Sequence, residues 1–167
     1  MLALDGASRA AALDLNNRFA AELSRADRDR FDWLADNAYL AARIGMVRAF
    51  LIAFDQDAAY DSPNFLWCRN RARRFVYVDR VVTDPDWRGH GLARALYAHL
   101  LRRAVADGHD TILCEVNLVP PNPASDAFHA ALGFVEVGRA GIFDGAKTVR
   151  YLELRLPVAD GNPRNNG

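Results

Sequence analysis

The stretch Val78-Asp79-Arg80-Val81-Val82-Thr83-Asp84-Pro85-Asp86-Trp87-Arg88-Gly89-His90-Gly91-Leu92-Ala93 runs an apolar strand into a glycine-bearing turn and then directly into a helix. Glycine has no Cβ, so Gly89 and Gly91 let the backbone come close to a ligand. The first N–H groups of a helix have no intrahelical acceptor and favour an anion. A pyrophosphate suits such a turn, with charge supplied by Arg88 and by Arg94 if Arg94 is not simply on a solvated helix face. A dinucleotide fingerprint would need a third glycine where Arg94 stands, and a Walker loop would need Gly-Lys-Ser/Thr. Neither is present.

Outward from this turn, Phe75 to Thr83 reads as a central strand that Pro85 ends. Leu92, Ala95, Leu96, Leu100, Leu101, Ala104 and Val105 keep helical spacing up to Gly108, a C-terminal stop. Thr111 to Asn117 is a short buried strand. Asn122-Pro123 opens a helix as cap and first residue, which runs to Leu132 before Gly133. Phe134 to Ala140 and Lys147 to Leu156 form two last strands. Upstream, residues 7–37 suggest two short amphipathic helices broken at Ser24 to Asp27. Tyr39 to Arg43 and Met46 to Phe54 read as a hairpin turning at Gly45. Asp55 to Arg74 is loop-like in its Asp, Ser, Pro and Asn content yet carries aromatics. The order implies a mixed α/β sheet, one domain over 1–156 and a disordered tail over 157–167.

The chain has 167 residues, 51% of them hydrophobic, which is enough for a single sizeable core. Lys plus Arg equals Asp plus Glu at 21 each, so global charge points to no nucleic-acid or membrane partner and an anionic ligand must be held locally. No apolar run approaches the roughly 20 residues of a membrane span, and the N-terminus lacks a signal-peptide pattern. A cytoplasmic location is the expectation. Cys68 and Cys114 suggest no zinc site, and Cys114 falls in a buried strand pattern that favours a reduced thiol.

Arg88, Gly91 and Ala93 match the pattern Gln/Arg-x-x-Gly-x-Gly/Ala, and Asn122 to Phe134, NPASDAFHAALGF, supplies a late helix ending in Leu-Gly-Phe. Together they resemble the GNAT superfamily of N-acetyltransferases over residues 38–156, and AYDSPNF, YVDRVV and CEVN are similar to a bacterial subgroup of it. The resemblance implies a mostly antiparallel sheet with two splayed central strands, flanked by about four helices. It implies acetyl-coenzyme A as co-substrate and no metal. The backbone from Gly89 through His90, Gly91 and Leu92 to Ala93 would cradle the pyrophosphate, and Arg80, Val81 and Val82 would pair with the pantetheine arm. Asn117, Asn122, Ser125 and Phe128 fall on the same side, although Asn122 as a helix cap and Phe128 as core are equally available readings. A homodimer is implied by analogy only.

Acyl transfer needs a neutral amine, a polarised carbonyl and a proton for the departing thiolate. The resemblance implies direct attack in a ternary complex, with a backbone N–H near Val81 or Val82 on the carbonyl. His129 stands where many relatives carry a tyrosine acid. Asp79 and Glu115 are the carboxylates placed to act as base, or else they are ion-paired with neighbouring arginines. Tyr60, Asp61, Phe65 and Trp67 would suit a cationic amine, peptidic or small. The competing reading is a non-catalytic acyl-coenzyme A sensor or interaction module.

Overall fold

The computed structural model describes residues 1–21, 23–142 and 147–157. The tail expected to be disordered lies, from residue 158 on, outside them, as does most of the turn expected between the last two strands.

Local rules account for the elements. Helix α1 (Gly6–Arg18) is capped by Asp5, whose side chain accepts from Ser8 N–H, and α2 (Arg28–Asn37) by Asp27, which accepts from Arg30 N–H. Each carboxylate satisfies an N–H that the helix leaves without a partner. Ahead of α1 lies β1 (Leu2–Ala3), the short first strand. The hairpin is formed by β2 (Leu40–Ile44) and β3 (Ala49–Asp55), turning through residues 45–48 with positive φ at Gly45 and Val47. The loop-like segment holds a helix, α3 (Pro63–Arg71), with Pro63 in its first turn. Then come β4 (Phe75–Thr83), α4 (Leu92–Ala106), β5 (Thr111–Val119), α5 (Pro123–Ala131), β6 (Val135–Ile142) and β7 (Lys147–Arg155).

The seven strands form one sheet in the order β1-β2-β3-β4-β5-β7-β6. All neighbours are antiparallel except β4 and β5. Side chains alternate between faces, so Phe50, Ile52, Phe54, Tyr77, Leu113 and Tyr151 pack under α1, α2 and α3, whereas Leu51, Val76, Val78, Ile112, Cys114 and Leu152 pack against α4. The fold is the mixed, mostly antiparallel α/β sheet expected, with five α-helices among the described residues.

Two irregularities position the site. The parallel β4–β5 pairing runs only from Phe75↔Thr111 to Val78↔Cys114, although β4 continues to Thr83 and β5 to Val119. The strands therefore fork after Val78 and Cys114. In addition, Ile52 pairs with Arg80 and Ala53 with Val78, leaving Asp79 as an extra, bulged residue.

Candidate active site

The fork opens into a cavity of about 960 Å³ walled by both strands, the start of α4, α5, the start of α3 and the segment after α1. At its α4 end, Gly89 and Gly91 have φ of 76° and 72°, in the left-handed region where glycine carries no steric penalty. A Cβ built at either would meet no atom within 4 Å, so the space over the turn is open. Gly91 caps α4 without a side chain, and the helix's first turn bond is Ala95 N–H to Gly91 O. The preceding N–H groups of Leu92, Ala93 and Arg94 thus come at the positive end of the helix dipole, which favours an anion.

Of the residues expected around this turn, Arg88, Gly89, Gly91, Leu92, Ala93 and Arg94 line the cavity. Arg88 rests on the Phe19 ring at 5.1 Å. His90 does not line it: its exposed ring turns back to Arg88 O at 2.9 Å and lies beside Trp87. Val81, Val82, Asn117, Ser125 and Phe128 are on the wall. Asn122 is on the wall too while its Oδ1 accepts from Ser125 N–H as a helix cap.

Arg80 is on the wall as well, and its side chain has a task of its own. Its buried guanidinium donates to Asp79 Oδ2 (2.8 Å), Asn16 Oδ1 (2.7 Å) and Ser24 O (3.1 Å), tying the segment after α1 to the bulge. Asp79 is also bonded at Oδ1 by the Tyr60 hydroxyl at 2.7 Å. Both of its oxygens are therefore engaged by donors, which holds the side chain in place.

Glu115 is placed differently. It projects from β5 on the α3 face, one residue past the fork, and its Oε1 accepts from Asn64 Nδ2 at 2.9 Å. Oε2 is buried and makes no hydrogen bond of normal geometry among the described residues, while the nearby Tyr77 hydroxyl, also buried and without a partner, favours the charged carboxyl. Burial first, and the nearby Asp79 charge second, push its pKa up to about 7. A carboxylate poised near neutrality with one oxygen uncommitted fits a general base.

His129, on α5, lines the cavity together with Tyr97 of α4, although its side chain is buried. Its Nδ1 lies 2.8 Å from Ser125 O, and a carbonyl only accepts, so Nδ1 carries the hydrogen. Nε2 then accepts from the Tyr97 hydroxyl at 2.8 Å. Burial pushes the imidazole's pKa down. In this neutral form the ring has no Nε2 hydrogen of its own to give a thiolate, so the expected acid role would require the imidazolium.

The expected acceptor residues also separate. Tyr60 and the exposed Asp61 line the cavity; Phe65 and Trp67 do not. Phe65 is fully buried between Tyr60, Phe75 and Tyr77, and Trp67 stacks face to face on Tyr151 at 3.8 Å between ring centroids. They leave α3 in different directions, and an assignment of the segment to a loop hid the packing of both. Asn64, Tyr97, Arg25, Arg30 and Lys147 reach the cavity without having been singled out. Asn64 had a usable cue, since Ser62-Pro63 marks a helix start; the others depend on tertiary packing.

A family model, acetyltransferase (GNAT) family, matches residues 9–134. The chain belongs to the GNAT acetyltransferase family. A GNAT enzyme of this kind transfers acetyl groups from acetyl-coenzyme A, and the open glycine turn at the start of α4 fits that co-substrate's pyrophosphate. The sheet is shared with solved relatives. The ribosomal-protein-S18-alanine N-acetyltransferase of Escherichia coli is 22% identical, with 96% of each chain covered and a TM-score of 0.69. The Salmonella typhimurium protein yncA, solved with acetyl-coenzyme A, is 20% identical over 96% of this chain and 95% of its own, with a TM-score of 0.66. The ribosomal-protein-alanine N-acetyltransferase of Brucella melitensis is 21% identical over 90% and 95%, with a TM-score of 0.63. At these identities the likeness establishes the fold alone. No curated protein matches the sequence. Among the described residues of this GNAT chain, no three His, Cys, Asp or Glu side chains converge to hold a metal, and no helix is long and apolar enough to cross a membrane.

Proposed function

We propose that the chain acetylates a primary amine by direct attack in a ternary complex, with Glu115 as the base. The observation that carries this is the buried Oε2 of Glu115, unpartnered at the fork, on a carboxyl whose pKa is about 7. Acetyl-coenzyme A supplies the thioester. The N–H groups from Gly89 to Ala93 bind its pyrophosphate together with Arg88, and the β4 backbone at Val81 and Val82 lines the route to the fork. Glu115 takes one proton from the incoming ammonium. The neutral amine attacks the thioester carbonyl carbon, forming the N–C bond, and as the C–S bond breaks the departing coenzyme A thiolate takes the second proton released by the nitrogen. Asp79, held by Tyr60 and Arg80, lines the same cavity.

The acceptor entrance has mixed charge. Asp61 is joined there by Arg25, Arg30 and Lys147, while of the two further aromatics expected beside it Phe65 is in the core and half-buried Trp67 covers Tyr151. This supports a single primary amine, peptidic or small, over a polycation. Two buried free thiols, Cys68 and Cys114, support a reducing compartment such as the cytoplasm.

The test is release of free thiol from acetyl-coenzyme A across a panel of amines, amino acids and peptides, with the wild type and Glu115→Gln. The variant is expected to lose about 10²- to 10⁴-fold in kcat/KM for the amine while binding acetyl-coenzyme A as before. Wild-type turnover in the variant removes Glu115 from the mechanism. Binding of acetyl-coenzyme A without thiol release on any amine would favour a sensor module.

A further inference from the structure

The residues that hold Glu115 form a chain that starts on α3 and closes on itself. Asn64, in the first turn of α3, donates from Nδ2 to Glu115 Oε1 at 2.9 Å, and its Oδ1 accepts from the buried Tyr151 hydroxyl at 2.9 Å. Tyr151 pairs with Glu115 across β7 and β5, so the two residues are set in register by the sheet itself. Its ring is covered by Trp67, one helical turn after Asn64 on α3, at 3.8 Å and 7° from parallel. A primary amide is suited to this position because it presents a donor and an acceptor in opposite directions. Both are used here.

We propose that Asn64 is a positioning residue for acetyl transfer: it fixes Glu115 through Oε1 so that Oε2 faces the acceptor, and is itself fixed by Tyr151, which Trp67 clamps. This rests on Glu115 being the base. Without Asn64, rotation about the last carboxyl torsion would exchange the two oxygens, and the uncommitted one would no longer have a defined direction. Trp67 acquires through this chain a part in the reaction that its distance from the cavity denies it directly.

The charged and titratable groups around Glu115 are Asp79 and Tyr77 on β4, Cys114 on β5, Cys68 on α3, Tyr97 on α4, and Tyr151 and Lys147 on β7. Asn64 is neutral, so it acts on the carboxyl only by its hydrogen bond, which favours the charged form. Removing that donor raises the midpoint at which Glu115 titrates.

The chain has four glutamates, at 22, 115, 136 and 153, so carboxyl-labelled glutamate resolves Glu115 by carbon-13 NMR in the protein without ligands. The signal lost in Glu115→Gln assigns it. Asn64→Leu is expected to raise the Glu115 midpoint by about one unit, and Asn64→Asp, nearly isosteric, to raise it further through a second carboxyl. Tyr151→Phe, which frees only the far side of the amide, should give a smaller rise. Asn64→Leu and Asn64→Asp should lower kcat about tenfold or more with acetyl-coenzyme A affinity within threefold of wild type. An unmoved midpoint in both Asn64 variants overturns the proposal, as does a loss that resides in acetyl-coenzyme A affinity instead of kcat. Full turnover in Glu115→Gln overturns the base assignment separately, and the NMR midpoints tell the two failures apart.

Discussion

A carboxyl whose pKa rises on folding leaves a signature in stability. Glu115 goes from an ordinary value of 4.5 to about 7, so between these the folded chain binds more protons than the unfolded one. Stability therefore falls as pH rises through that window; below it the residue contributes nothing, and above it the full penalty applies, roughly 3 kcal/mol. Glu115→Gln should unfold at higher urea than wild type at pH 8 and at the same urea at pH 4. Equal midpoints at both pH values would show that the carboxyl is not held in a low-dielectric setting. Glu115 was legible in the sequence because it is a lone carboxylate in an otherwise apolar strand. Asn64 was not, since its meaning comes from a partner 51 residues away. His129 was legible as a position but not in its tautomer, which is set by Ser125 O one turn earlier on α5 and by Tyr97, which only the packing of α4 brings to it.

Among the elements, α3 is where the sequence misled and the structure explains most. Polar residues at Asp61, Ser62 and Asn64 conceal a helix whose buried face is Asn64, Phe65 and Cys68. Opposite it, β6 carries Gly138 in register with Tyr151. A Cβ at Gly138 would lie 2.5 Å from Cζ2 of Trp67, closer than real atoms approach. Gly138→Ala is expected to cost about 1–3 kcal/mol by forcing the indole off Tyr151, measurable by thermal melting and by loss of the stacked-ring signal in near-ultraviolet circular dichroism. An unchanged melt would mean that α3 shifts freely. By contrast, α5 was fully readable, since Asn122 and Pro123 act by purely local rules of helix initiation.

For the molecule as a whole, the order of elements was written in hydrophobic period and in glycine and proline punctuation, whereas the fork was reached only through family resemblance. Nothing local in Val78 to Thr83 says that β4 stops pairing with β5. The fork is bridged on one side by Arg80, which joins the bulged Asp79 to Asn16 and Ser24, while Asn17 holds Ala26 by two further bonds. Arg80→Met should leave buried polar groups without partners and cost about 3–5 kcal/mol. Hydrogen–deuterium exchange should quicken over residues 23–26 ahead of the rest of the chain, and uniform exchange would refute the tether. Gly138 has a consequence beyond this one chain. Its missing side chain is the room that Trp67 occupies, so among natural variants a larger residue at 138 demands a smaller one at 67. The two positions are expected to change together, and a survey of the catalytic cavity alone would overlook both.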